Sequence, residues 1–97
     1  MTPERGPESD RVVRELREEI VRADRRALAA VNERLRLVGE LRTHKLARGW
    51  DFVDLSREER LVASLLAENP GPLSEEGVRS LFRAILELTK RELGEST

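Results

Sequence analysis

From Asp10 to Arg48 the chain carries no proline and one glycine, Gly39, while apolar residues recur at helical spacing. With Val13 set at heptad position a, the a, d and e positions run Val13, Leu16, Arg17, Ile20, Ala23, Asp24, Ala27, Ala30, Val31, Arg34, Leu37, Val38, Leu41, His44 and Lys45. This pattern predicts one long amphipathic helix whose apolar stripe faces a core. About 38 helical residues at ~1.5 Å each make a rod of about 57 Å, whereas a compact chain of about 100 residues has a radius of gyration near ~13 Å. Such a rod overhangs any single-chain globule, and its distal stripe needs cover from another subunit. The expectation is an intertwined helical homodimer.

Arg17, Arg34 and Lys45 lie on that apolar stripe. An unpartnered buried cation costs several kcal/mol, so cations spaced along a core face imply either buried carboxylates or an anionic ligand. Arg34, set among Ala30, Val31, Leu37 and Leu41, favours an anion over an ion pair with Asp24 or Glu58. Lys45 shares its face ~16 Å further along the axis, although a lysine near a helix end can also snorkel outward. Arg17 lies about 25 Å back along the axis and cannot serve the same small ligand from the same subunit. In a crossed dimer it reaches the partner's site.

The 97 residues allow one domain, read as residues 10–97 after a flexible lead-in at 1–9 that contains Pro3, Gly6 and Pro7. One Trp, two Phe and no Tyr leave packing to aliphatic side chains, and 38% charged residues leave few positions for it, so association should supply part of the stability. The formal net charge of −1 gives no overall pull toward nucleic acid or an anionic membrane. The absence of cysteine excludes disulfides, thiolate metal sites and a cysteine nucleophile. No apolar run is long enough to span a bilayer and the N-terminus has no signal-like apolar segment, so the expected compartment is the cytoplasm.

After a stop at Gly49, Ser56 followed by Glu59 reads as a capping box opening a second helix, with Leu61, Val62, Leu65 and Leu66 on its apolar side. Asn69-Pro70-Gly71-Pro72 forms a stiff connection. Ser74 reads as the N-cap of a third helix, with Glu75 and Glu76 in its first turn. Val78, Leu81, Phe82, Ile85, Leu88 or Thr89, and Leu93 give that helix its inward face. No strand pattern competes, so the fold class is all-α with three helices, one long and two shorter.

Asp54, Arg57 and Glu58 sit at the loop-to-helix junction, where alone they read as ordinary capping. Combined with the cationic stripe, they supply a further cation, a carboxylate acceptor and exposed backbone donors, which suit a hydroxylated dianion. His44 has no second ligand at a metal-site spacing and reads as an edge residue. The chain also lacks a Ser/His/Asp arrangement and a glycine-rich phosphate loop. Neither a metal nor a cofactor is expected. The basic run from Arg42 to Arg48 has no interleaved aromatics, which argues against a nucleic-acid partner.

Leu16-Arg17-Glu18-Glu19-Ile20, Val31-Asn32-Glu33-Arg34, Lys45, and Gly49 leading to Asp54-Leu55-Ser56-Arg57-Glu58 resemble, in order and spacing, the signature of the all-helical (type II) chorismate mutases. Asn69-Pro70-Gly71-Pro72-Leu73-Ser74 with Leu81-Phe82 extends the resemblance, which covers about residues 12 to 93. It implies three-helix chains interlocked as dimers with two sites. Arg34 and Arg57, with Arg17 from the other subunit, would bind the two carboxylates of chorismate. Lys45 would donate to the ether oxygen and a carboxylate, and Glu58, helped by the backbone at Asp54, would hold the ring hydroxyl. The implied reaction is a unimolecular [3,3] rearrangement to prephenate in phenylalanine and tyrosine biosynthesis. It needs a compact substrate conformer and stabilisation of charge growing on the ether oxygen, with no nucleophile or cofactor.

The sequence departs from that family's pattern at the end of the third helix. Similar proteins carry a serine and, four residues on, a Gln or Glu that contacts the ether oxygen, and these positions fall on Thr89 and Leu93. Thr89 can replace a serine hydroxyl, but Leu93 cannot donate a hydrogen bond. Glu92 is adjacent and would have to be protonated to donate. The expectation is a mutase that is either weak or helped by Glu92 at lower pH. Other readings are an isochorismate-pyruvate lyase or aminochorismate mutase on the same scaffold, or a non-catalytic dimerisation or regulatory module; an activating partner enzyme is a further expectation for so short a chain.

Overall fold

A computed structural model of the protein describes residues 6–94, so the first five residues of the expected lead-in lie outside the described residues. Pro7–Ser9 form a single 3₁₀ turn, followed by α1 (Arg11–Ala47), α2 (Leu55–Glu68) and α3 (Glu75–Glu92). No strand occurs among the described residues, and the fold is all-α. None of these helices is long and apolar enough to cross a membrane.

The α1 termini follow from local chemistry. Asp10 opens the helix, its Oδ1 accepting from the backbone N–H of Val13 at 3.1 Å. At the far end Gly49 adopts φ +72°, a left-handed conformation that glycine takes without Cβ strain. Its N–H donates to the Leu46 carbonyl and that of Trp50 to the Lys45 carbonyl, closing the helix with the paired bonds of a Schellman turn.

The chain divides between Glu33 and Arg34 into two compact units. In the N-terminal unit Arg14 donates to the Ser9 carbonyl and Arg17 pairs with Glu8. Val12, Leu16, Ile20 and Leu28 there are each more than half exposed. The C-terminal unit holds the remainder of α1 with α2 and α3, and α2 packs on α3. Val78 and Thr89, both on α3, are the only buried residues among those described, 3% and 6% exposed.

Two local readings of the sequence are corrected. The cap of α2 is Asp54, which accepts from the Arg57 N–H at 3.1 Å, and not Ser56, which is the second residue of the helix and whose hydroxyl accepts from the Arg60 guanidinium. An aspartate before Leu55 satisfies one of the helix's orphan donors, so the helix begins earlier than the Ser-x-x-Glu spacing suggested. On α3, Ser74 caps as expected through the Gly77 N–H. Leu81, however, is 46% exposed, and Leu86 is half-buried in its place because the inward arc is centred on Val78, Phe82, Ile85 and Thr89. Asn69 ties the intervening connection, accepting from the Gly71 N–H and donating to the Leu73 carbonyl.

Candidate functional site

Arg34 projects from α1 within the C-terminal unit, and its Nη1 donates to Thr89 Oγ1 at 2.7 Å. The Thr89 hydroxyl donates in turn to the Ile85 carbonyl at 2.8 Å, one turn back along α3. That places its single proton on Ile85 and leaves its lone pairs for the guanidinium. The ion pairs found among the described residues do not include Arg34. Burial, and then the positive charge of Arg57, push its pKa below that of free arginine, while Glu58 acts in the opposite direction. A cation desolvated this way and bonded only to a neutral hydroxyl retains several donors for an anion.

The surrounding space is a cavity of about 250 Å³ in the C-terminal unit. Its apolar wall comes from Leu37, Val38 and Leu41 of α1, Leu61 of α2 and Leu86 of α3, with Phe52 and Val53 from the loop. Its polar groups are Arg34, Asp54, Arg57, Glu58, Thr89 and Lys90. Capping explains the junction residues: with Asp54 at the N-cap, Arg57 and Glu58 occupy the first turn of α2, beside α3. The Asp54 carboxylate caps the helix by accepting from the Arg57 N–H, and the Glu58 carboxylate, paired with Lys90 at 3.3 Å, keeps lone pairs with which to receive a ligand donor. Lys45 lies near this set rather than in its lining, with Nζ 3.5 Å from the Phe52 carbonyl and 6.0 Å from the centre of the Phe52 ring. A larger groove lies between the outer sides of α2 and α3, lined by Leu55, Val62 and Leu66 with Arg79 and Arg83. It is more open and lacks Arg34, so the smaller cavity is the candidate site.

Of the residues singled out from sequence, Arg34, Asp54, Arg57, Glu58 and Thr89 meet in this cavity. Arg17 belongs to the N-terminal unit, where it is exposed and paired with Glu8. Neither Glu92 nor Leu93 is in the lining. Glu92 is exposed, and a Leu93 methyl lies 3.8 Å from where a Cβ on Gly39 would stand. Sequence reasoning missed Lys90. The signal that marked Arg34, a cation in register with an apolar stripe, was also present there, since Lys90 follows Phe82 and Leu86 at intervals of four.

Three helices that bring two arginines, a lysine and an acceptor carboxylate to one small cavity define a helical protein built to bind a hydroxylated anion. Residues 16–92 match the family described as chorismate mutase type II, and the chain belongs to that family. Two solved structures of chorismate mutase from Thermus thermophilus, Form I and Form II, are similar to it, each at 39% sequence identity over 79% of this chain. They are covered over 96% and 88% of their lengths, with TM-scores of 0.77 and 0.76. No curated protein sequence matches the chain.

Proposed function

We propose that the protein is a chorismate mutase that converts chorismate to prephenate in phenylalanine and tyrosine biosynthesis, with the cytoplasm as its place of action. The observation that carries this reading is the convergence of Arg34, Arg57 and Glu58 on one cavity in a chain of this family. The reaction breaks the ether C–O bond as a new C–C bond forms within the same molecule. Catalysis therefore consists of holding the reacting ends together and stabilising negative charge as it develops on the oxygen.

In this reading Arg34 and Arg57 bind substrate carboxylates, and the dianion offsets the desolvation of Arg34. Lys45 donates to the ether oxygen, Glu58 accepts from the ring hydroxyl, and Thr89 holds Arg34 in place. The protein acts as a homodimer in which Arg17 of one subunit completes the site of the other. Two observations support association: only two buried residues among those described, and Leu16 and Ile20 left more than half exposed beside Arg17. Such a surface is costly in water and suits a second helical chain. Leu93 carries no hydrogen-bond donor and Glu92, the candidate replacement, stays outside the cavity lining, which fits a modest intrinsic rate.

Purified protein incubated with chorismate should consume it and form prephenate in equal amount. Release of pyruvate from isochorismate, or rearrangement of the amino analogue with chorismate left unchanged, would assign one of the related enzymes instead, and no reaction with any of the three would leave a non-catalytic module.

A further inference from the structure

We propose that Lys90 sets which ring substituent this site takes, selecting a neutral hydroxyl over an ammonium; the inference rests on the chorismate-binding reading above. Lys90 Nζ lies 3.3 Å from Glu58 Oε1. The Glu58 side chain is 20% exposed and that of Lys90 38%, so the pair sits partly desolvated at the cavity edge. Both residues line the cavity that holds Arg34 and Arg57.

A lone carboxylate does not discriminate well between donors of this kind. It accepts from a hydroxyl, and it binds an ammonium more strongly because of the opposite charge. Glu58 is not alone. Lys90 already balances its charge through one oxygen, while a carboxylate offers about four lone-pair sites on its two oxygens. Acceptor capacity remains, but the net negative charge that would attract a cation does not. An ammonium in place of the ring hydroxyl would meet Lys90 across the same carboxylate, with Arg34 and Arg57 adding like charge. A hydroxyl meets no such repulsion. Lys90 is thus a specificity residue that acts through Glu58, and like-charge exclusion is its means.

The test compares chorismate with the analogue carrying an amino group, protonated at the assay pH, in place of the ring hydroxyl. For wild type, Lys90→Met, Lys90→Gln and Lys90→Arg, the kcat/KM for chorismate is measured together with the Ki of the amine as competing ligand. Met and Gln should each shift the preference toward the amine by at least about fivefold, a moderate effect because Lys90 is partly solvated. Arg, which keeps the charge, should retain the wild-type preference and serves as the folded control. A shift smaller than about fivefold in both neutral variants, or an equal shift in the Arg variant, overturns the role of Lys90. Wild-type protein that leaves chorismate unchanged overturns the function itself and this inference with it, a different and separately recognisable result.

Discussion

Replacing Arg34 by methionine should separate stability from activity. In the fold this guanidinium is partly desolvated, faces the charge of Arg57 and bonds to a neutral hydroxyl. Its pKa is lowered, so the charged form is less favoured in the folded chain than in the unfolded one. The charge therefore opposes folding at every ordinary pH, and that opposition ends only in strongly alkaline solution. Methionine removes the charge and fills much of the same volume beside Val38 and Leu61. One hydrogen bond to a charged group is lost, worth about 1.5–3 kcal/mol, against relief of desolvation and added apolar contact of similar size. Thr89 is not orphaned, because its hydroxyl still donates to the Ile85 carbonyl.

The net change in unfolding free energy should therefore lie within about 1 kcal/mol of zero. Activity should respond very differently. Loss of a charge-assisted contact to the reacting dianion should lower kcat/KM by about 100-fold or more, equivalent to about 2.7 kcal/mol. Urea unfolding followed by circular dichroism gives the first quantity, and the initial rate of chorismate loss gives the second. A variant destabilised by more than about 2 kcal/mol, or one with near wild-type kcat/KM, would refute the view that Arg34 is kept for an anion rather than for the fold.

Asp54→Ala should cost about 1 kcal/mol of stability through loss of the α2 cap, whereas Asp54→Asn, an equally good cap, should cost little; equal losses in denaturant melts would remove capping as the cause. The dimer reading predicts a melting temperature that falls as protein is diluted, and a concentration-independent transition from a monomer in sedimentation experiments would count against it. The missing-donor reading predicts that Leu93→Gln or Glu92→Gln raises turnover, by up to about 100-fold if a full oxyanion contact is gained. An unchanged kcat for both, measured across pH, would show that the end of α3 supplies nothing to the ether oxygen.

Most helix boundaries, and two of the three cations that line the cavity, Arg34 and Arg57, were legible in the sequence for physical reasons. Gly49 and Ser74 are strong local signals, because a left-handed stop and a hydroxyl cap act within a few residues. Arg34 stood out because charge on an apolar stripe demands explanation. The cap at Asp54 was misread because Ser-x-x-Glu and Asp-x-x-Arg overlap by two residues, and local pattern does not say which group is closer to the free N–H groups. The contact between Arg34 and Thr89 links positions 55 residues apart, and no local rule reports such a distance. Lys90 was overlooked because the inward face of α3 was drawn through Leu81, which the fold leaves exposed, rather than through Leu86.

The stop at Gly49 also fixes the length of the loop that follows. The Lys45 carbonyl accepts the bond that closes α1, while its ammonium lies 3.5 Å from the Phe52 carbonyl, only two residues before the cap of α2. The same residue therefore terminates one helix and measures the distance to the next. One added residue in an unconstrained surface loop costs little, because closure entropy grows slowly with length. Between Gly49 and Asp54 the same insertion would shift Phe52 away from Lys45 and turn the first residues of α2 relative to the cavity. This short loop should tolerate changes of side chain at Asp51 far better than any change in its number of residues.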